Sequence, residues 1–176
     1  MNQKISKGTA LLLQAVSFAA RAHKNQFRKD KETPYVSHPF RVCLTLRHIF
    51  GVTDEKILAA ALLHDTVEDT PKDFDDIKEF FGPEIAHWVA LLSKDKRLPE
   101  EEREKVYAAQ LKRAPLPVKL IKLADIHDNL LDTSTLPSET QRARTVHRVS
   151  FYLRSLKDPK NPLLAKCLRK VQALLG

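Results

Sequence analysis

The placement of glycine and proline constrains the fold of this chain more than any other feature of its sequence. Only four glycines occur, and prolines stand at the starts of apolar-rich runs, as in Phe81-Gly82-Pro83 and Asn161-Pro162. Glycine is favoured just after a helix and proline in the first turn of the next one, so these positions indicate breaks between helices. We find no run in which apolar and polar residues alternate as they do in strands. The sequence therefore predicts an all-α fold, an irregular bundle of eight to nine helices.

Local signals also predict where the second and third helices begin and end. Ser37 is expected to cap a second helix that stops at Gly51. Either Thr53 or Asp54 caps the third helix. In that helix Ile57–Leu63 is apolar on every side, which indicates a helix buried in the middle of the fold.

The composition indicates one globular domain. With 176 residues, 43% of them apolar and 30% charged, residues 1–176 are sufficient for a single domain with its own core. Two cysteines without CxxC spacing argue against a disulfide framework and for a reducing compartment, so we expect a cytoplasmic protein. No run is long enough to span a bilayer. The net charge of +8 favours an acidic partner, such as nucleic acid, a nucleotide or an anionic lipid, without choosing among them.

The buried third helix ends in a group of ionisable residues, His64-Asp65-Thr66-Val67-Glu68-Asp69. Burying such groups is unfavourable unless they are paired or bind a cation. A single histidine at a helix end is most often structural. Four ionisable groups within six residues, attached to a buried helix, favour a functional site instead.

A second apolar helix also carries polar groups inward. Val118, Ile121, Asp125 and Asn129 share one stripe of this helix, and its opposite side is apolar as well. An inward aspartate followed one turn later by an asparagine indicates either a ligand site or a buried hydrogen-bond network. This segment alone does not decide between the two.

His38, at the start of the second helix, is a weak signal alone but completes a candidate ligand set of two histidines and two aspartates: His38, His64, Asp65 and Asp125. Their nitrogen and oxygen atoms suit Mn²⁺, Fe²⁺, Zn²⁺, Co²⁺ or Mg²⁺, and the absence of thiolate argues against a structural zinc site. Four protein ligands leave positions for water and substrate on a six-coordinate ion. A bound divalent cation lowers the pKa of water and polarises a phosphoryl oxygen.

These residues resemble the hydrolase domain of the RelA/SpoT homologue proteins, a branch of the HD superfamily. The resemblance covers about residues 8–135 and rests on five motifs in the same order: Arg28–Pro39, Ala60–Thr70 (AALLHDTVEDT), Phe81-Gly82, Leu91–Pro99 (LLSKDKRLP) and Val118–Asn129 (VKLIKLADIHDN). It implies an HD-type helical bundle that uses one Mn²⁺ per chain. It also implies removal of the 3′-pyrophosphate from ppGpp and pppGpp, which lowers alarmone levels in the stringent response. The synthetase domain of longer members has no counterpart here, so a small stand-alone alarmone hydrolase is expected.

The resemblance also implies a role for individual residues. The pair Glu68 and Asp69 positions or deprotonates the attacking water. Arg28 and Lys29 lie beside the nucleotide, and Asn129 lies near its ribose and phosphate. The metal ligands are His38, His64, Asp65 and Asp125. The chain departs from the family after Asp125, where Ile126 replaces the usual Arg or Lys and is followed by His127 and Asp128; this alters either a phosphate contact or a pair on the helix surface.

Three alternatives to alarmone hydrolysis stay open. The same metal site could act on another ribose-phosphate nucleotide such as NADPH, the chain could be a catalytically inactive nucleotide-sensing HD module, or it could be a basic RNA-binding helical protein. The complete ligand set and the Glu68-Asp69 pair argue against an inactive copy. We therefore expect a small guanine nucleotide as partner rather than nucleic acid or a membrane, and the sequence does not predict an oligomeric state.

Overall fold

Helices account for most of residues 5–132 and 138–175, which are the residues that the computed structural model describes. Ten α-helical segments occur in these residues, and nine of them are eight residues or longer. Within the same residues β-pairing is confined to one isolated antiparallel bridge between Phe27 and Pro34. The predicted all-α fold is confirmed. The helices are α1 (Lys7–Ala22), α2 (Ser37–Leu44), α3 (Glu55–Leu63), α4 (Thr66–Asp69), α5 (Phe74–Phe81), α6 (Pro83–Leu92), α7 (Glu100–Arg113), α8 (Leu116–Leu131), α9 (Glu139–Ser155) and α10 (Pro162–Gln172).

Several helix ends follow the signals in the sequence. A π-helical segment, Thr45–Phe50, continues α2 and ends at Gly51, whose φ of +76° is a conformation that favours glycine. Asp54 caps α3, because its side chain accepts hydrogen bonds from the backbone N–H groups of Lys56 and Ile57. Gly82, at a φ of +83°, separates α5 from α6, and Pro83 opens α6.

The predicted cap at Ser37 is wrong. The helix α2 already includes Ser37, its N-cap position is Val36, and no side chain caps it. The backbone turns earlier than expected, because the N–H groups of Ser37 and His38 donate to the carbonyls of Pro34 and Tyr35. The Ser37 hydroxyl is therefore buried inside the first turn without a hydrogen-bond partner in the described part of the chain.

The core is organised around α3 and α8. Leu58–Leu63 of α3 is completely buried, and α1, α2 and α6 each pack against this helix. Helix α8 is buried around most of its circumference and contacts α2, α6 and α10. The C-terminal end of α3 and the middle of α8 therefore meet inside the protein, where their polar residues need partners. No helix in the described residues is both long enough and apolar enough to cross a membrane.

Candidate metal centre and nucleotide pocket

Four side chains from three parts of the chain meet in the interior. His38 comes from the first turn of α2, His64 and Asp65 follow α3, and Asp125 projects from the middle of α8. His38 Nε2 lies 3.2 Å from Asp125 Oδ1 and 3.5 Å from Asp65 Oδ2. His64 Nε2 lies 3.2 Å from the same oxygen of Asp65 and 4.0 Å from Asp125 Oδ1. Ligand atoms around one ion with bonds of about 2.1 Å are about 3 Å apart, so these separations suit a shared cation.

His64 shows that the cluster fits a metal. Its Nδ1 lies 2.8 Å from the carbonyl oxygen of Ala61, which can only accept a hydrogen bond, so Nδ1 carries the proton. The Nε2 atom therefore points into the cluster, and it can offer a lone pair to a cation once it has released any proton that the nearby aspartates favour. This atom is buried and has no hydrogen-bond partner in the described residues. A buried imidazole nitrogen that faces carboxylates without a partner is the geometry of a metal ligand.

Three of the four side chains form a compact group, and the fourth, Asp125, is held by its neighbours on α8. His38, His64 and Asp65 each offer one donor atom, and these three atoms lie within 4.8 Å of one another. Asp125 is bound by two neighbours on α8, since Lys122 Nζ lies 2.7 Å from its Oδ2 and Asn129 Nδ2 donates to its Oδ1 at 2.5 Å.

Ionisation in the cluster follows from burial and close carboxylates. Burial works to lower the pKa of His38, but hydrogen bonds to Asp125 and Asp128 and the charge of Asp65 outweigh it and raise the pKa to about 9. Burial is also outweighed at Asp65, where the charges of the two histidines hold the pKa of the carboxyl below its usual value. Lys122 and His38 lower the pKa of Asp125 in the same way. In the metal-free protein the two aspartates are therefore ionised and His38 is protonated at neutral pH, so a cation would bind with release of the His38 proton.

Glu68 and Asp69 lie on α4, the single helical turn that follows Asp65. Glu68 Oε2 accepts a hydrogen bond from the backbone N–H of Lys94 at 3.0 Å. Asp69 pairs with Lys96 at 2.6 Å and lies 3.3 Å from the hydroxyl of Tyr35. Burial and the charges of nearby aspartates raise the pKa of Glu68, with the Lys94 hydrogen bond opposing them. A carboxylate with a raised pKa accepts a proton more readily than an exposed one.

The predicted nucleotide residues line the same pocket. Arg28 Nη2 lies 2.6 Å from Asp132 Oδ2 and 3.3 Å from Asn129 Oδ1. Lys29 follows in the loop before α2, and burial together with the charges of Arg28 and Arg148 lowers its pKa. The structure thus brings Arg28, Lys29 and Asn129 to one side of the cluster.

Comparison with known families gives a match over most of the chain. The family described as HD domain matches residues 15–153. The chain belongs to the HD-domain family. Two curated relatives are named guanosine-3′,5′-bis(diphosphate) 3′-pyrophosphohydrolase MESH1. The Xenopus tropicalis protein is 45% identical over 129 residues, 73% of this chain and 72% of the relative. The human protein is 43% identical over 144 residues, 81% of this chain and 79% of the relative.

A solved structure resembles this HD-domain protein along nearly its whole length. It is described as a metazoan orthologue of SpoT that hydrolyses ppGpp and plays a role in starvation responses. The TM-score is 0.85 at 32% sequence identity, with 99% of this chain and 98% of that chain covered. HD domains are metal-dependent, which agrees with the histidine and aspartate cluster.

The pocket of this HD-domain protein has a volume of about 270 Å³ and a balanced set of charges. Six Lys or Arg side chains and six Asp or Glu side chains line it. A bound divalent cation would therefore give the pocket a net positive charge, which favours an anionic ligand. The basic side chains are Arg28, Lys29, Arg41, Lys94, Lys122 and Arg148.

The three residues after Asp125, where the sequence departs from the expected pattern, lie in or beside the pocket. Ile126 is buried and lines the pocket, so the departure alters a pocket wall rather than a pair on the helix surface. His127 is buried with its ring edge-on to Phe50. Asp128 is buried beneath His38, to which it is hydrogen-bonded.

Sequence reasoning did not assign a role to three residues that the HD fold brings to the site. Tyr35 donates a hydrogen bond to Asp65 Oδ2 at 2.6 Å. Arg41 binds Asp128, and Lys122 binds Asp125. Tyr35 and Lys122 stand inside motifs that were recognised, so a signal was present. Arg41 stands outside these motifs, and only the packing of α2 against α8 reveals it.

Proposed function

We propose that this HD-domain protein is a guanosine-3′,5′-bis(diphosphate) 3′-pyrophosphohydrolase that uses one Mn²⁺ per chain. The observation that carries the proposal is the convergence of two imidazoles and two ionised carboxylates beside Glu68 and a pocket lined by basic side chains. The similarity to MESH1 over more than two thirds of both chains supports the choice of substrate. The products are pyrophosphate and GDP from ppGpp, or GTP from pppGpp.

In the proposed site His38, His64, Asp65 and Asp125 hold the cation. Mixed nitrogen and oxygen ligands suit Mn²⁺, which prefers carboxylates and tolerates imidazole. When bound, the ion polarises a phosphoryl oxygen and lowers the pKa of water. The two histidines define the geometry of the ligand set, since each directs its Nε2 atom toward the carboxylates.

Glu68 is the proposed general base. Its carboxylate lies on the turn that directly follows Asp65, and its raised pKa suits proton acceptance. In the reaction a water oxygen attacks the phosphorus bonded to the 3′-oxygen and the water proton passes to the base. The bond between that phosphorus and the 3′-oxygen breaks, and the 3′-oxygen takes a proton from solvent to become the ribose hydroxyl. Asp69, fixed by Lys96, positions the water.

Arg28, Lys29 and Asn129 are the proposed nucleotide-binding residues. Arg28 is held against α8 by Asp132 and Asn129, so its guanidinium is oriented before a ligand arrives. An oriented guanidinium binds phosphate through parallel charge-assisted hydrogen bonds. Lys29 adds a second cation at the same side of the pocket.

We further propose that residues 1–176 act as one domain in the cytoplasm. Both cysteines are free, which suits a reducing compartment. The proposed partner is a small guanine nucleotide.

Release of pyrophosphate from ppGpp by metal-stripped protein, with and without added Mn²⁺, tests the function. We expect turnover only with the metal, and loss of most of it in Glu68→Gln. Exposed Glu102→Gln, at the start of α7, is the matched control and keeps the parental rate. Parallel assays with NADPH separate the substrates: faster phosphate release from NADPH than pyrophosphate release from ppGpp would contradict the assignment, and so would inactivity toward both.

A further inference from the structure

A buried carboxylate supports His38 from the side opposite the cluster. Asp128 is 2% exposed, and its Oδ2 lies 2.6 Å from His38 Nδ1. The two residues are 90 positions apart in sequence, so only the packing of α2 against α8 joins them. Because the carboxylate accepts the Nδ1 proton, Nε2 is directed at Asp65 and Asp125, where the cation is proposed to bind.

Arg41 fixes the orientation of this carboxylate. Its Nε lies 2.7 Å from Asp128 Oδ1, and its Nη2 lies 3.0 Å from Asp128 Oδ2. Two parallel hydrogen bonds restrict rotation of the carboxylate, which one bond would allow. Arg41 is three residues after His38 on α2, so the same helix supplies the imidazole and the residue that holds its partner.

The contacts continue from Arg41 to the nucleotide side of the pocket. Arg41 Nη2 lies 2.8 Å from Asp132 Oδ1, and the other oxygen of Asp132 lies 2.6 Å from Arg28 Nη2. An unbroken series of charged contacts therefore links a proposed metal ligand with a proposed nucleotide residue. Asp128 lies in the last turn of α8 and Asp132 directly follows that helix, and both bind Arg41.

We propose that Asp128 is a positioning residue that holds His38 as a metal ligand, and that Asp132 holds Arg28 for the nucleotide, with Arg41 bracing both. The inference rests on the proposed function, because it assigns support to the ligands and nucleotide residues named there. Outer partners of this kind orient the imidazole and raise its basicity, and their loss typically costs about 10- to 100-fold in metal affinity.

A purely structural role makes a different prediction. If Asp128 and Arg41 only joined α2 to α8, their loss would lower the stability of the metal-free protein and leave the Mn²⁺ affinity of the folded form unchanged. The Mn²⁺ affinity, measured without nucleotide, therefore separates the two roles.

The experiment compares Asp128→Asn with Asp132→Asn. Metal-stripped parent and variants are titrated with Mn²⁺, and free Mn²⁺ is followed by electron paramagnetic resonance. We expect Asp128→Asn to bind Mn²⁺ about 10- to 100-fold more weakly. Asp132→Asn, at the C-cap of the same helix, is the matched control. It keeps the parental Mn²⁺ affinity within about twofold, because Asp132 does not contact His38, and it raises the KM for ppGpp through Arg28.

Two results would overturn the inference: parental Mn²⁺ affinity in folded Asp128→Asn, or equal weakening in Asp132→Asn. If Asp128→Asn does not fold, Arg41→Gln decides, because the Arg41 side chain is 41% exposed and its replacement spares the buried carboxylate. Weaker Mn²⁺ binding by Arg41→Gln supports the inference and parental binding overturns it. A parent that binds Mn²⁺ but does not hydrolyse ppGpp would refute the proposed function alone, since the affinity test uses no nucleotide.

Discussion

The ammonium of Lys122 lies 2.7 Å from Asp125 Oδ2, and both side chains are nearly enclosed, at 12% and 9% exposure. The same ammonium lies 5.2 Å from the ring centroids of Tyr107 and Tyr152. Burial acts to lower the pKa of Lys122, but the charge of Asp125 outweighs it and raises the pKa, so the lysine is charged. In the metal-free protein this ion pair offsets one of the two carboxylates that would hold the cation.

Replacing Lys122 with Met should therefore make stability depend more strongly on metal. Asp125 loses its buried lysine partner but keeps its contacts with His38 and Asn129, so the free energy of unfolding of the metal-free protein should fall by up to about 3–5 kcal/mol. Added Mn²⁺ should restore much of the loss, because the ion replaces the missing charge. Urea unfolding with and without Mn²⁺ measures both quantities.

Lys119→Met is the control for this experiment. Lys119 is also a buried lysine of α8, one turn earlier, and it lies outside the pocket lining. Its replacement should change stability equally with and without Mn²⁺. A Lys122→Met protein whose loss of stability is the same in both conditions would contradict a direct effect on the metal site.

The pH dependence of turnover tests Glu68 as the base. Burial is the largest cause that raises the pKa of Glu68, so on acidification this carboxyl gains its proton at a higher pH than an ordinary glutamate, whose pKa is about 4.3. A protonated carboxyl cannot accept the water proton, so kcat should fall as the pH drops through the raised pKa. Glu68→Gln should lower kcat by about 10²- to 10⁴-fold and remove this acidic limb. An unchanged profile in the variant would assign the titration to another group.

Arg28 should contribute to nucleotide binding and not to metal binding. Losing charge-assisted hydrogen bonds of about 1.5–3 kcal/mol corresponds to about a 10- to 100-fold rise in KM for ppGpp in Arg28→Gln. Its Mn²⁺ affinity should stay at the parental value. Arg97→Gln removes a guanidinium that is 90% exposed and paired with Asp95, and serves as the matched control with parental KM. Equal KM values for the two variants would show that Arg28 does not contribute to nucleotide binding.

The sequence predicted those helix ends that depend on residues close by in the chain. Gly51, Asp54 and Gly82 act through their own backbone conformation or through bonds to residues two or three positions away. The start of α2 was misplaced at Ser37, because a turn stabilised by Pro34 and Tyr35 carbonyls brings the backbone into helical geometry one residue early. The composition of this segment does not show that these backbone hydrogen bonds start the helix before Ser37 can act as its cap.

Long-range pairing explains what was not predicted at the site. His64 and Asp65 stand at the end of a buried apolar helix, where unpartnered ionisable groups are conspicuous in the sequence itself. The contact of Arg41 with Asp128 joins residues 87 positions apart, and neither is unusual in its own segment. Such a pair becomes visible only when α2 and α8 are placed against each other.

Tyr35 should matter for turnover more than for stability. Its hydroxyl donates to Asp65 Oδ2 at 2.6 Å and lies 3.3 Å from Asp69 Oδ2, so one group contacts both a proposed ligand and a proposed water-positioning residue. Burial and the charge of Asp65 raise the pKa of Tyr35 far above its usual range, so the hydroxyl stays a donor throughout the working pH range. Tyr35→Phe keeps the ring, which packs near His23 and His38, and removes only the donor. The free energy of unfolding should fall by about 0.5–1.5 kcal/mol, whereas kcat should fall by about tenfold or more, because both carboxylates lose their common restraint.

Paired measurements of unfolding and ppGpp turnover check the effect of Tyr35→Phe. Ser17→Ala on α1 also loses one hydroxyl hydrogen bond and is the reference for a change remote from the pocket. A parental kcat in Tyr35→Phe would mean that Asp65 and Asp69 are held without the tyrosine.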